Sequence, residues 1–410
     1  MAQHKQALDL EEALQTLQNQ FAPSAKTEQV SLDRSHGRVV ALDISAPVDL
    51  PPFHASAMDG YAILTRSPDG EYQLIAESFA GHPYLGGISP GQAVRVYTGA
   101  LVPPAAERVV IQEQATPLAS DRVALHFESG EERFIRPPGH DVRAGTQIAR
   151  RGQRVDAFLH GALAASGVNE LAVYSPLRVG VFSSGDELVD PSVAAADLQP
   201  GQIYDSNRVT VMRLLEDLPA EIIDLGRLPD EAQAVRTALA EGSRSCDALV
   251  TSGGVSVGDA DFITSTIQAL GELSFWKLNL KPGKPLAVGR IDDCILFGLP
   301  GNPVSAIVTL LLVAKPMLRF LGGAAVHTPI PIPASLRTPL THRPGRAEYQ
   351  RGTFGADREG LWVAHTGDQS SNRLQSFTQA NCLIEIPKDS GDLPAGQVVN
   401  ILPMHGLLTD

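Results

Sequence analysis

Residues 247–259 read DALVTSGGVSVGD, an apolar run that ends directly in a glycine-rich turn. Three further apolar runs lie at 178–182, 221–225 and 294–297, and segments with helical spacing lie at about 205–218, 230–242, 260–270 and 303–321. Strands that alternate with helices are typical of a mostly parallel sheet covered by helices on both faces. Residues 177–327 are therefore predicted to form a three-layer α/β domain.

The chain before residue 177 has a different pattern of apolar, polar and proline residues. Apolar residues at helical spacing within 7–20 predict an amphipathic helix, and Val39–Leu42 is predicted to be a strand. Three prolines between 47 and 52 predict an extended linker over 45–53, because proline lacks a backbone donor and fixes φ. Short alternating runs over 54–143 predict a β-rich domain, and helical spacing returns at 156–166. Residues 334–410 are predicted to form a small β domain.

Composition excludes several classes of protein. The chain has 33 basic and 46 acidic residues, a net charge of −13, which argues against a general nucleic-acid binder. The longest strongly apolar stretch, 306–314, is far shorter than the roughly 18–20 residues that cross a bilayer. No apolar export signal is visible at the N-terminus, and the three cysteines form no CxxC pair. We expect a soluble cytoplasmic enzyme or assembly factor without a membrane or nucleic-acid partner.

Three turns of the predicted α/β domain have unusual composition: Ser183–Glu187, Ser252–Asp259 and Gly298–Pro303. Ligands of an open parallel sheet bind beyond the carboxyl ends of its strands, where such turns meet. Glycine lets the backbone approach a ligand closely, and free amides at a helix start favour an anion. A single turn of this composition can be merely a tight turn, but three such turns in one domain favour a ligand-binding site.

Carboxylates are expected to cluster at the same edge of the sheet, and they are Asp186, Glu187, Asp205, Asp230, Asp259 and Asp261. Helix capping is the alternative for each one. Asp230, with Gln233 three residues on, has the pattern of an N-cap, and Asp259 could cap the following helix. A group of carboxylates beside phosphate-binding amides is also typical of a Mg²⁺ site.

Residues 277–285 read KLNLKPGKP. If this segment is a strand, Lys277, Asn279 and Lys281 share one face, and the Pro-Gly turn presents Lys284 nearby. A solvated charge run is the usual alternative. In a chain of net charge −13, lysines beside glycine-rich turns favour an oxyanion pocket.

Seven strings resemble one family in both content and order. They are PPFHASAMDGYA (51–62), TGALVP (98–103), SSGDEL (183–188), GQIYDSN (201–207), TSGGVSVGDADF (251–262), KPGKP (281–285) and LPGNPVSA (299–306). They are similar to molybdopterin molybdenumtransferase, the MoeA family, which includes the E domain of gephyrin. The resemblance implies an elongated homodimer with four domains per subunit: a helical and extended domain of two segments (1–44 and 144–176), an inserted β domain (45–143), the α/β molybdopterin-binding domain (177–327) and a C-terminal β domain (328–410).

The resemblance also implies a reaction. Adenylylated molybdopterin and molybdate, with Mg²⁺ required, give molybdenum cofactor and AMP in a cleft between the α/β domain of one subunit and the inserted domain of the other. A molybdopterin adenylyltransferase and recipient molybdoenzymes are the implied protein partners. A molybdopterin adenylyltransferase and a non-catalytic, gephyrin-like scaffold remain as alternative functions.

Residue roles follow from the same resemblance. Asp59 and Thr98 match the partner subunit's contribution to the cleft. The other matches to acidic residues needed for activity are Asp141, Glu187, Asp230 and Asp261, of which Glu187, Asp230 and Asp261 are the candidate metal ligands. Positions associated with the cofactor or molybdate are Ser252, Gly253, Gly254, Lys277, Lys281, Lys284, Pro285, Pro300, Gly301, Asn302, Arg351 and Ser371. The sequence departs from the family pattern at Leu101, His140 and Ser370, which puts the roles of Asp141 and Ser371 in question.

Overall fold

A computed structural model describes residues 7–128, 130, 132–255, 262–325 and 329–408. The chain divides into two compact units. The larger unit comprises Met1–Glu28, Gly37–Val39 and Tyr174–Asp410, and the smaller unit comprises Gln29–His36 and Val40–Val173. The division of the chain into four domains stays a prediction.

The helices and strands are numbered in chain order. The helices are α1 (Leu10–Gln20), α2 (Ala157–Ala165), α3 (Ser206–Leu215), α4 (Ala232–Ser245), α5 (Phe262–Leu270), α6 (Pro303–Thr309), α7 (Lys315–Leu321), α8 (Ser376–Gln379) and α9 (Met404–Leu408). The strands are β1 (Thr27–Ser31), β2 (Ile44–Ser45), β3 (Ala55–Ser56), β4 (Gly60–Ile63), β5 (Glu71–Ser78), β6 (Gln92–Val96), β7 (Arg108–Ile111), β8 (Ala115–Ala119), β9 (Arg122–Leu125), β10 (Ile135–Arg136), β11 (Gln147–Ala149), β12 (Glu170–Tyr174), β13 (Leu177–Ser184), β14 (Leu188–Val189), β15 (Ile203–Tyr204), β16 (Ala220–Leu228), β17 (Ala248–Ser252), β18 (Glu272–Lys277), β19 (Leu280–Lys281), β20 (Pro285–Ile291), β21 (Cys294–Leu299), β22 (Ile332–Leu336), β23 (Ala347–Asp357), β24 (Gly360–His365), β25 (Cys382–Ile386) and β26 (Val398–Pro403).

The central sheet of the larger unit has the strand order β16-β13-β17-β21-β20-β18. The first four strands are parallel, with Val250 of β17 opposite Val181 of β13 and Phe297 of β21. This confirms the predicted α/β domain. The sheet is mixed, however, because Asp292 adopts φ 53° in a two-residue turn that folds β20 and β21 into an antiparallel hairpin.

The core of the larger unit contains one continuous helical segment, Pro303–Leu321, in which a π-helical stretch (Leu310–Ala314) joins α6 to α7. Among the described residues, this segment is long and apolar enough to span a membrane, with mean hydropathy 1.8, but it is 83% buried within the protein. The helix predicted over about 303–321 is therefore confirmed, and the apolar stretch 306–314 is its central part. The Lys315 ammonium is buried and lies 2.7 Å from Asp217 Oδ1. The segment packs as a core helix.

Helix α1 confirms the predicted amphipathic helix, with Ala13 and Leu17 fully buried on its apolar face. The backbone N–H of Asp9, the residue before the helix, donates to the Glu12 carboxylate at 3.2 Å. This contact helps to fix the helix start, because the first turn of a helix has no internal partners for its amides.

The C-terminal strands confirm the predicted small β domain. They follow the order β19-β23-β24-β22-β26-β25, and β25 also pairs with β23, so the sheet closes on itself. Val363, Ile384 and Ile401 are fully buried in its core. Closure removes unpaired strand edges, which is how small barrels protect their backbone donors and acceptors.

The smaller unit is β-rich, as predicted. Its main sheet has the order β7-β4-β6-β5-β9-β8, and three two-stranded pairs and α2 accompany it. The predicted strand at Val39–Leu42 is wrong. Val40 forms only an isolated antiparallel bridge to Val173, with the Ala41 N–H donating to Ala172 and the Tyr174 N–H to Val39, and this pairing does not extend into a ladder. The predicted linker, 45–53, contains no helix, and no strand beyond Ser45, the last residue of β2.

Candidate functional site

The three unusual turns meet at the carboxyl ends of β13, β17 and β21 in the larger unit. They line a cleft of about 640 Å³, referred to below as the polar cleft. Its walls include Ser184–Glu187, Ser252–Val255 and Pro300–Pro303. Nine residues predicted to belong to the site line it, namely Glu187, Asp230, Ser252, Gly253, Gly254, Pro285, Pro300, Gly301 and Asn302.

Gly253 packs the three turns against one another. It has φ +93°, and a Cβ at this position would lie 2.5 Å from the Ser184 carbonyl oxygen. Its N–H donates to the Leu299 carbonyl at 3.1 Å. The backbone requires glycine here, because an L side chain both strains this φ and meets the neighbouring turn.

Asp230 belongs to the wall of the polar cleft. The N-cap prediction is wrong, because α4 begins at Ala232 and its N-cap residue is Glu231. The Asp230 carboxylate instead accepts hydrogen bonds from Ser184 Oγ at 3.3 Å and from the Asp186 N–H at 3.2 Å. The Asp230 N–H donates back to the Asp186 carboxylate at 3.3 Å. These reciprocal contacts hold the carboxylate at the cleft.

Asp205 is buried beneath the polar cleft and forms an ion pair with Arg208. Its carboxylate accepts from the Arg208 N–H at 3.1 Å, which caps α3, and from Arg208 Nε at 3.0 Å. It also accepts from Ser183 Oγ. Burial works against the charge on Arg208, but its hydrogen bonds to Asp205 and Asp224 raise the pKa of its guanidinium. We therefore assign Asp205 a structural role.

The candidate metal ligands are only partly placed. Glu187 and Asp230 line the same cleft. Asp259 and Asp261 lie outside the described residues. Within the part of the chain that the structure describes, no group of three or more His, Cys, Asp or Glu residues could hold a metal. The metal site stays a prediction.

The lysine segment does not form one strand. Strand β18 ends at Lys277 and β19 begins at Leu280, so the prediction of one continuous strand is wrong. Leu278 and Leu280 are fully buried and the polar residues that alternate with them are not, as the period of two predicted. The Asn279 amide donates to Asp9 at 2.8 Å, and the Lys281 ammonium lies 3.0 Å from the buried Glu348 carboxylate. Lys284 is exposed. The described lining of the polar cleft includes none of these lysines.

Arg351 is fully buried behind the loop 368–371. Its guanidinium donates to Ser376 Oγ at 2.9 Å and to the carbonyls of Gln369 and Ser370 at 3.1 and 3.2 Å. Burial lowers the pKa of Arg351 to about 10, so it remains charged at neutral pH. The Ser371 carbonyl accepts from the Val304 N–H at 3.1 Å, which joins this loop to the start of α6. Arg351 therefore supports the loop with its guanidinium.

Asp59 and Thr98 form a pair in the smaller unit. The Thr98 N–H and hydroxyl both donate to Asp59 Oδ1, at 2.7 and 2.8 Å. These two bonds, with a smaller contribution from Arg95, hold the pKa of Asp59 below its ordinary value. Asp141 is exposed in the same unit, and its N–H donates to the Leu50 carbonyl at 2.9 Å. Asp59 is thus a charged, oriented carboxylate at neutral pH.

Sequence reasoning missed two asparagines that line the polar cleft, Asn207 and Asn372. Asn207 is the last residue of the string GQIYDSN, and Asn372 follows Ser371 directly. Both therefore lie within or directly beside segments that the sequence analysis had already singled out.

A second, larger groove of about 800 Å³ lies between α1 and the C-terminal strands. Its lining includes Leu10, Leu14 and Tyr349 and none of the predicted site residues. The polar cleft is therefore the better candidate for the chemistry.

The fold and the cleft define a multidomain α/β protein with a polar cleft at the carboxyl ends of the parallel strands of its central sheet. Three family models match the chain in sequence. They are the MoeA N-terminal region (domain I and II) at residues 8–167, a probable molybdopterin binding domain at 180–319 and the MoeA C-terminal region (domain IV) at 333–404.

Relatives match along nearly the whole chain. Molybdopterin molybdenumtransferase from Haemophilus influenzae is 37% identical, over 98% of this chain and 100% of that protein. Gephyrin from Dictyostelium discoideum is 30% identical, over 92% of this chain and 59% of that protein. The crystal structure of the molybdopterin biosynthesis MoeA protein from Pyrococcus horikoshii has a TM-score of 0.82 at 27% identity and covers 97% of this chain and 99% of that one. The chain belongs to the molybdopterin molybdenumtransferase (MoeA) family, as the seven strings predicted.

Proposed function

We propose that this chain inserts molybdenum into adenylylated molybdopterin, releasing AMP and forming molybdenum cofactor in the polar cleft. One observation supports this most strongly. The three glycine-rich turns and Asp230 converge on one cleft, and that cleft lies mostly within residues 180–319, the segment similar to a molybdopterin binding domain. A cleft of this size accommodates a small organic ligand.

The residues of the cleft suit a phosphorylated pterin. Close-packed glycine turns let backbone amides approach phosphate oxygens. Glu187 and Asp230 supply oxygen ligands on one cleft wall, and Mg²⁺ binds through one or two carboxylates together with substrate phosphates. When bound there, Mg²⁺ would offset the negative charge of the phosphoanhydride. Asp230, held by Ser184 and Asp186, would present its carboxylate to the Mg²⁺ ion.

The family resemblance extends the proposal to assembly and partners. We expect a cytoplasmic homodimer in which Asp59 and Thr98 of one protomer complete the cleft of the other. A molybdopterin adenylyltransferase would supply the substrate, and recipient molybdoenzymes would accept the product.

The proposal predicts that Asp230→Asn folds normally but loses activity. The change keeps the shape of the side chain and removes its charge, so we expect AMP release from adenylylated molybdopterin, with Mg²⁺ and molybdate present, to fall roughly 100-fold or more. Asp197→Asn is the matched control, since Asp197 is an exposed carboxylate of the same sheet domain outside the cleft. Full turnover by Asp230→Asn would refute the role of Asp230.

The same assay separates the alternative functions. A molybdopterin adenylyltransferase would consume ATP instead of releasing AMP from an adenylylated substrate. A scaffold without catalytic activity would bind molybdopterin tightly and show no turnover.

A further inference from the structure

Asn207 occupies the point where the three turns of the polar cleft meet helix α3. Its side-chain amide nitrogen donates to Ser252 Oγ at 2.8 Å and to the Gly301 carbonyl at 2.8 Å. Both amide hydrogens are thereby used, one on the turn after β17 and one on the turn after β21. A single side chain thus connects two walls of the cleft.

The third turn is connected to Asn207 through the start of α3. Asp205, two residues earlier, caps the helix through the Arg208 N–H and accepts the hydroxyl hydrogen of Ser183 at the end of β13. Asp205 and Ser183 are buried, so this attachment is shielded from water. The first turn of α3 is therefore fixed to β13, and Asn207 extends from that fixed point to the other two turns.

The turns after β17 and β21 also contact each other directly through their backbones. The Gly253 N–H donates to Leu299, and Gly301 would bring a Cβ only 3.7 Å from Gly253 Cα. Ser252 is buried, and its hydroxyl is an obligatory hydrogen-bonding group that Asn207 satisfies. Loss of the Asn207 amide would leave a buried acceptor without this donor and separate the two turns.

We propose that Asn207 is a positioning residue that ties the Ser252 turn to the Gly301 turn and so sets the shape of the cleft that receives the pterin. The inference rests on the proposed function only for the identity of the ligand. The connection between the turns is a property of the free protein and has its own measurement.

Hydrogen exchange of the free protein, followed by mass spectrometry, tests the connection. Asn207→Ala removes both donors, and Asn207→Ser, which keeps a short hydroxyl, is the milder change. We expect faster exchange of backbone amides in 252–255 and in 299–302 for both variants. Thr210→Ala, one turn further along α3 and outside the cleft lining, is the control and should exchange like the unchanged chain. Unaltered exchange in either turn would overturn the proposal.

Titration with adenylylated molybdopterin tests the consequence. Two hydrogen bonds are lost, so we expect the dissociation constant to rise about 10- to 100-fold in Asn207→Ala, while kcat at saturating substrate changes by less than about threefold. A fall in kcat with unchanged affinity would contradict a positioning role. If the unchanged chain itself fails to bind, the proposed function fails, whereas equal binding by chain and variant removes only the role of Asn207.

Discussion

Two donors from one threonine hold the carboxylate of Asp59. Because these bonds stabilise the charged form, the pKa of Asp59 is lower in the folded chain than in the unfolded one. The stabilisation is therefore present above the unfolded pKa of about 3.9 and is lost as the pH falls through the folded value.

Thr98→Val should raise the pKa of Asp59 partway to its ordinary value. The change removes the hydroxyl donor and leaves the backbone donor in place. An NMR titration of the carboxyl carbon measures the shift. The pKa of Asp69, which Ser67 lowers in the same unit, is the internal control and should not change. An Asp59 pKa that is identical in both proteins would show that the hydroxyl contributes nothing.

Arg351→Lys should destabilise the chain by about 3 kcal/mol or more. Lysine keeps the charge but cannot reproduce the fork of bonds to Ser376 and to the carbonyls of 369 and 370. Urea unfolding gives the difference in the free energy of unfolding. Arg290→Lys is the control, because its pair with Glu272 is exposed and worth less than about 1 kcal/mol. Equal stability of the two variants would contradict a supporting role for Arg351.

At this scale the sequence predicted residue types better than residue roles. Asp230 carries the pattern of a helix cap and of a cleft carboxylate alike, and only its contacts to Ser184 and Asp186 decide between them. The lysines of 277–281 were placed on one face by a period of two. That period holds in the burial of Leu278 and Leu280, but the Asn279 amide donates to Asp9 and the Lys281 ammonium lies beside Glu348, contacts that the period does not report.

At the scale of the elements, the cleft depends on close approach of the turn after β17 to the turn after β13. Gly253→Ala should weaken ligand binding for two reasons: the strained backbone of the alanine and the contact of its Cβ with the Ser184 carbonyl. Gly201→Ala is the matched control: Gly201 has a similar φ of +90° but open space around its Cβ position, whereas at Gly253 the Cβ would lie 2.5 Å from Ser184. Both variants carry the roughly 1–2 kcal/mol cost of a left-handed alanine.

Isothermal titration with adenylylated molybdopterin distinguishes these two glycines. We expect at least about tenfold weaker binding for Gly253→Ala, since a shift of 1.4 kcal/mol suffices, and unchanged binding for Gly201→Ala. Similar losses in both variants would mean that general strain, and not contact between the turns, controls the cleft.

Element identity was largely predictable, because long periodic segments such as α1 and the strands of the central sheet carry their pattern locally. The misses came from tertiary contacts. Val39–Leu42 has the composition of a strand, but its pairing is limited to a single bridge between Val40 and Val173. The core helix, in contrast, was predicted at its full length, about 303–321, although it contains Lys315, which pairs with Asp217 inside the fold.

At the scale of the whole molecule, family membership follows from seven strings in order, and nearly the full length of the chain aligns with a molybdopterin molybdenumtransferase. No local pattern could have identified the substrate, because spacing reports geometry and not the chemistry of an absent ligand. The proposed cleft shared by two protomers would likewise be a property of an assembly, which no local sequence pattern reports.

The most direct test of the central claim is incubation of the purified chain with adenylylated molybdopterin, Mg²⁺ and molybdate, with AMP and active cofactor measured together. The account predicts that both products appear in equal amounts and that neither cofactor nor full AMP release is obtained when Asp230 is replaced by Asn. Absence of both products, or consumption of ATP in their place, would contradict it.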